Sequence, residues 1–114
     1  MKGRDALNSQ YKKGVLELCV LSLLLGRDCY GYEISDYLSL HIDIADGTVY
    51  PILRKLKADG LLTTYLQEES GGPPRKYYRL TELGSQSYRS DRAEYLTFAQ
   101  AVRLMLEDDE NDEE

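Results

Sequence analysis

Arg54 and Lys55 stand one to two helical turns beyond Thr48 and Tyr50, and a second cation pair, Arg75 and Lys76, follows a Gly71-Gly72-Pro73-Pro74 tip. Their types and spacing suit recognition of a polyanion. A guanidinium or ammonium held on a helix can pair with phosphate oxygens or with the O6 and N7 acceptors of guanine. A hydroxyl near the helix start can reach a neighbouring base edge or phosphate. Catalysis has no comparable support. The chain holds no glycine-rich phosphate loop and no histidine–carboxylate–nucleophile set. His41 is the single histidine and has no ligand-spaced partner, so no metal and no other cofactor is expected, nor an enzyme.

The first group needs a helix to carry it, and Asp46 to Leu62 supplies one. With Val49 at 0° and 100° per residue, Ile52, Leu53 and Leu56 fall within about 60° of it. Thr48, Pro51, Arg54, Lys55 and Ala58 fall on the other side. Either Asp46 or Thr48 caps this helix, so Pro51 sits within its first turn or just after it, where proline costs little. Asp59-Gly60 stops it. Small or hydroxylated residues early and cations later suit a helix whose N-terminal end enters a DNA major groove. Leu61 to Glu69 and Arg75 to Leu80 then read as two strands about a Ser70–Pro74 turn, which makes the second cation pair part of a basic wing.

Upstream, Asp5 to Gly26 reads as a first helix, apolar nearly all round between Val15 and Leu25, and such a helix must be covered on more than one side. Tyr30-Gly31-Tyr32 leads into a second, Gly31 to Ser39. Downstream, Thr81 caps a long last helix from Glu82 to about Leu106. Tyr88, Tyr95 and Val102 repeat in sevens on it, interleaved with Asp91, Phe98 and Met105, a seam like that of a coiled coil. With no other long helix in the chain to receive it, the seam is expected to pack on a second copy or on that copy's first helix. The fold class that follows is mostly α (α+β): a winged helix-turn-helix over 1–80 with a two-stranded wing, a C-terminal dimerisation helix over 81–106, and a disordered acidic tail over 107–114.

A net charge of −6 argues against nucleic acid until its distribution is counted. Seven of the 20 carboxylates lie between Glu107 and Glu114, while Gly47 to Thr81 holds six cations and three acids. The local basic face matters more than the sum. Met1 to Asp5 is too polar to open a signal peptide, and Val15 to Leu25 is far short of the ~20 residues that span a bilayer. Cys19 and Cys29 are not in a Cys-x-x-Cys pair, so a cytoplasmic protein with free thiols and no membrane contact is expected.

Gly47-Thr48-Val49-Tyr50-Pro51-Ile52-Leu53-Arg54-Lys55-Leu56, then Asp59-Gly60-Leu61, then Gly71-Gly72-Pro73-Pro74-Arg75-Lys76-Tyr77-Tyr78-Arg79-Leu80-Thr81-Glu82-Leu83-Gly84 resembles the PadR family of bacterial transcriptional regulators. Lys13 to Leu18 and Tyr30 to Ile34 fit its first two helices, so the resemblance spans about residues 9 to 106. It implies a short member that dimerises through its last helix, binds double-stranded DNA at inverted-repeat operators as a repressor, and often releases it when a small molecule binds. Short members that bind drugs between subunits carry Trp in the middle of that helix. Here Tyr95 stands in that place, and the chain has no Trp.

Bland readings compete with each assignment. Arg54 and Lys55 could belong to a solvated helix face, and Arg75-Lys76 could merely protect an edge strand. The combination of recognition helix and wing favours DNA contact for Thr48, Tyr50, Arg54, Lys55, Arg75 and Lys76, with Lys12 a weaker candidate for the DNA backbone. Tyr88, Tyr95, Phe98 and Val102 are read as dimer packing in preference to a pocket for a small hydrophobic effector. Ten tyrosines against one phenylalanine suggest a stacking surface, but most fall at core-building positions. A winged helix used as a protein–protein adaptor remains the rival of a different class.

Overall fold

In the computed structural model, residues 2–45, 47–68 and 71–112 are described, with side chains for 11–45, 47–68 and 71–108. The elements run α1 (Lys2–Gly26), β1 (Cys29–Tyr30), α2 (Gly31–His41), α3 (Val49–Ala58), β2 (Leu62–Gln67), β3 (Arg75–Leu80) and α4 (Glu82–Asp112). The periodicity of α3 is realised in full: Val49, Ile52, Leu53 and Leu56 are at most 2 % exposed. They close on Leu16, Val20, Leu21 and Leu24 of α1, Ile34 and Leu38 of α2, and Leu62 and Tyr78 of the sheet. One apolar stripe from each helix thus meets one face of the sheet, and α2 and α3 are fixed as a helix-turn-helix pair. Thr48 occupies the N-cap of α3, without a side-chain cap bond, and Asp46, the alternative cap, lies outside the described residues. Gly47 makes the turn with a φ of 84°.

The end of α3 is closed by its own backbone. Gly60, at a φ of 82°, donates to the Lys57 carbonyl (3.0 Å), and Leu61 donates to that of Leu56 (2.9 Å), the paired bonds of a Schellman stop. Thr81 then ties the start of α4 to this corner. Its hydroxyl donates to the Gly60 carbonyl (2.7 Å) and accepts from the Gly84 N–H (2.9 Å), while its own N–H donates to the Leu61 carbonyl (3.0 Å). The expected cap is therefore also a clamp between α3 and the last helix.

The two-stranded wing forms as expected from β2 and β3, and β1 extends it to a three-stranded sheet in the order β1-β3-β2, because Cys29 and Tyr30 pair antiparallel with Tyr78 and Tyr77. Two expectations need correction. The last helix continues past Leu106 to Asp112, so residues 107–112 of the acidic stretch are helical, and only Glu113 and Glu114 lie outside the described residues. Arg103 supports this extension by donating to Glu107 one turn on (2.9 Å). Finally, α4 does find a helix in its own chain. It packs on α1, with Tyr88 Oη 3.5 Å from Ser22 Oγ and Tyr95 near Tyr11 and Cys19. Tyr88 and Tyr95 are half-buried there and Val102 is half-buried further along α4, whereas Phe98, Leu104, Met105 and Leu106 stay exposed.

Candidate nucleic-acid interface

Every residue of α3 off its buried stripe is exposed, and the helix rotation sends these side chains to two flanks. On one flank Tyr50 and Arg54 face β1, the start of α2 and the wing. There they share a groove with Tyr30, Gly31 and Tyr32 and with Arg75, Lys76 and Tyr78 of β3. The approach is close: a Cβ on Gly31 would come within 2.7 Å of the Tyr50 ring, so glycine is what lets Tyr50 lie over the first turn of α2. Burial pushes the Tyr78 phenol up, the neighbouring Tyr50 adds to the shift, and Arg54 opposes it, which places the guanidinium beside Tyr78. On the other flank Thr48 and Pro51 share a depression with Lys12 and Lys13 of α1 and with Asp43 and Ile44.

The structure therefore brings together Tyr50, Arg54, Arg75 and Lys76, and separately Lys12 with Thr48. Lys55 joins neither group. Its Nζ lies 3.0 Å from Asp59 and 3.6 Å from Glu17, turned toward α1 and the groove that runs to Tyr95 and Phe98 of α4. The hydrogen bond to Asp59 and the charge of Glu17 hold its ammonium above the usual lysine range. Two adjacent cations in sequence thus part by about 100° on the helix. Lys55→Ala is expected to cost no more than ~1 kcal/mol of stability, as a half-exposed ion pair would. It should leave DNA affinity within about twofold of wild type, whereas Arg54→Ala should not. Parallel binding titrations of the two variants check this, and a larger drop for Lys55→Ala would reverse the assignment.

Sequence reasoning missed Tyr30, Tyr32 and Gly31 as groove residues. In sequence they mark only the approach to α2, and no local signal pairs Tyr30 with Tyr77 across the chain. A second missed residue is Asp28, whose carboxylate accepts from Tyr65 Oη (2.7 Å) and from Arg79 Nε (3.1 Å) and lies 3.0 Å from Arg79 Nη2. That bond to Asp28 raises both the Tyr65 phenol and the Arg79 guanidinium above their ordinary ranges. Arg79 is therefore neutralised at the root of the wing, while Arg75 has no carboxylate partner among the described residues.

Residues 20–90, from mid-α1 through the helix-turn-helix and wing into α4, match the model of the transcriptional regulator PadR-like family. The chain belongs to that family. The similarity of this PadR-like regulator extends over most of the length of its relatives. It is 32% identical over 106 residues to an uncharacterised protein of Lysinibacillus sphaericus, covering 89% of this chain and 96% of that one. It is 31% identical to the transcriptional regulator Rv3488 of Mycobacterium tuberculosis, covering 73% and 78%. A crystal structure of the PadR-like transcriptional regulator BC4206 from Bacillus cereus superposes with a TM-score of 0.77 at 32% identity, covering 85% of this chain and 96% of that one. The PadR-like protein is thus a winged-helix, DNA-binding regulator of transcription and not an enzyme. No helix among its described residues is long and apolar enough to cross a membrane.

Proposed function

We propose that the protein is a homodimeric repressor that places α3 of each subunit in the major groove of an inverted-repeat operator. The observation that carries this reading is the flanking of α3 by cations on both sides, Lys12 and Lys13 on α1 and Arg75 and Lys76 on the wing. A helix lying in a major groove has a phosphate ridge along each edge. In that arrangement Arg54 and Tyr50 face base edges or the near phosphates, and the two lysines and the wing pair hold the ridges. The −6 charge of the chain does not oppose this, because seven of its 20 carboxylates lie between Glu107 and Glu114, while Gly47 to Thr81 holds six cations and three acids.

Dimerisation is supported by what α4 leaves uncovered. Phe98, Leu104, Met105 and Leu106 are 52 to 67% exposed on one helix, and Tyr11 of α1 at 55% lies beside Phe98. A run of large apolar side chains on this scale marks an interaction surface. A second copy fits it because Phe98 and Met105, seven residues apart, share one face, and the C2 operation would set that face against itself. The full-length protein is expected to sediment as a dimer at micromolar concentration, and truncation after Gly84 should give insoluble chain because the α1 surface under Tyr88 and Tyr95 is bared. A monomer in solution would sink the homodimer reading. Deleting the gene should raise transcription of an adjoining gene whose promoter the purified protein protects, and a fall instead would make the protein an activator.

A further inference from the structure

The outer face of the sheet carries an aromatic and cationic row that the core does not explain and that reaches the groove only at Tyr30 and Arg75. Side chains alternate along a strand, and the register sets Tyr65 and Tyr30 on either side of Tyr77, with Arg75 and Arg79 two residues before and after it on β3. The Tyr65 and Tyr77 rings stack with centroids 5.7 Å apart, and Tyr77 meets Tyr30 edge-on at 5.5 Å. Each arginine lies over one of the flanking rings, Arg79 at 4.8 Å from Tyr65 and Arg75 at 4.4 Å from Tyr30. The two are not equivalent, however. Asp28 neutralises Arg79 and anchors Tyr65, so one end of the row is tied down. At the other end Arg75 lies over a ring and has no carboxylate partner among the described residues, and it lines the groove it shares with Arg54.

We propose that Tyr30 is the positioning residue that seats Arg75 for a DNA phosphate, with the Tyr77–Tyr65–Asp28 row as its fixed backing. The proposal rests on the DNA-binding reading above. An unsupported arginine at a wing tip loses rotamer freedom when it binds, and an arginine already stacked on tyrosine loses less. The stack also orients the planar guanidinium while its N–H edge stays open to phosphate oxygens. Tyr30 is suited to the seat because its backbone is fixed from two directions. Its N–H donates to Glu33 Oε1 (3.1 Å) at the start of α2, and it pairs with Tyr77 in the sheet.

A double-mutant cycle on the full-length protein tests this, using a duplex enriched by the wild type from a random-sequence pool and an unrelated duplex at low salt. Tyr30→Leu is expected to weaken both by about two- to fivefold, the size of one surface cation–π interaction, and to flatten the salt dependence as Arg75→Ala does. Tyr30→Phe should bind as wild type, since the ring is what matters. In the Arg75→Ala background Tyr30→Leu should change nothing further. Equal reductions in both backgrounds would mean that Tyr30 serves the fold alone, and a Phe variant as poor as Leu would mean that the hydroxyl and not the ring is used. Either result overturns the proposal while leaving DNA binding intact. In the unmutated protein the Arg75 side chain should be ordered on the nanosecond timescale like the backbone, and a freely rotating guanidinium overturns the proposal without any variant having to fold. Failure of the wild type to bind either duplex would sink the DNA reading itself, and this inference with it.

Discussion

Gly84→Val is expected to destabilise the protein by ~3 kcal/mol or more, enough to unfold a small domain of ordinary stability near physiological temperature. A Cβ at position 84 would overlap the Leu61 carbonyl oxygen and crowd the Leu80 side chain. The first obstacle is backbone, held by the Schellman stop of α3, so it cannot move aside as a flexible side chain would. Relief requires α4 to lift from the corner. Lifting breaks the Thr81 bonds to Gly60 and Leu61, which adds the cost of a missing cap, about 0.5–2 kcal/mol, to the steric cost. Thermal or urea unfolding of Gly84→Val against Gly14→Ala, where an added Cβ meets nothing within 4 Å, measures the difference. Similar behaviour of the two variants would show that α4 leaves the corner without cost. The clamp also bears on function, because it sets the direction of α4 relative to α3, and in the proposed dimer that direction sets the separation of the two recognition helices.

The second large effect is expected in DNA binding. Arg54→Ala should lower affinity for the selected duplex by ~1–3 kcal/mol if the guanidinium reads a base edge, with little change at unrelated sequence. Arg75→Ala and Lys76→Ala should weaken selected and unrelated duplexes alike and reduce the salt slope by about 0.9 for each phosphate that is no longer neutralised. The triple alanine variant should bind near the nonspecific level. Binding of that variant matching wild type at the selected duplex would rule out this face as the interface. A protein–protein adaptor would show no steep salt dependence with any of these proteins.

Much of this fold was legible one residue at a time. The stripe of Val49, Ile52, Leu53 and Leu56 defines α3 and its buried side, Gly60 defines its end, and Thr81 marks the start of α4, because each depends on periodicity or backbone preference within a few residues. Strand β3 likewise runs from Arg75 to Leu80 as expected, since Tyr78 and Leu80 alternate with Tyr77 and Arg79. The two-residue β1 was not legible, because a strand that short has no alternation to display and its partner lies nearly fifty residues away.

The chemistry divides in the same way. Residue types and local spacing alone pointed to a basic helix and wing facing DNA, and to no catalytic or metal-binding set as the expectation. Only the tertiary structure decided which cations act together. It turned Lys55 toward Glu17 and away from Arg54, locked Arg79 on Asp28, and set Arg75 on Tyr30 with no carboxylate partner among the described residues. It also gave Tyr88 and Tyr95 to the chain's own α1 and left Phe98 and Met105 exposed. The physical reason is common to all of these outcomes. Helix rotation and strand alternation assign each side chain a direction, but its partner comes from elements packed roughly 35 to 70 residues away in the chain, and no local pattern carries that information.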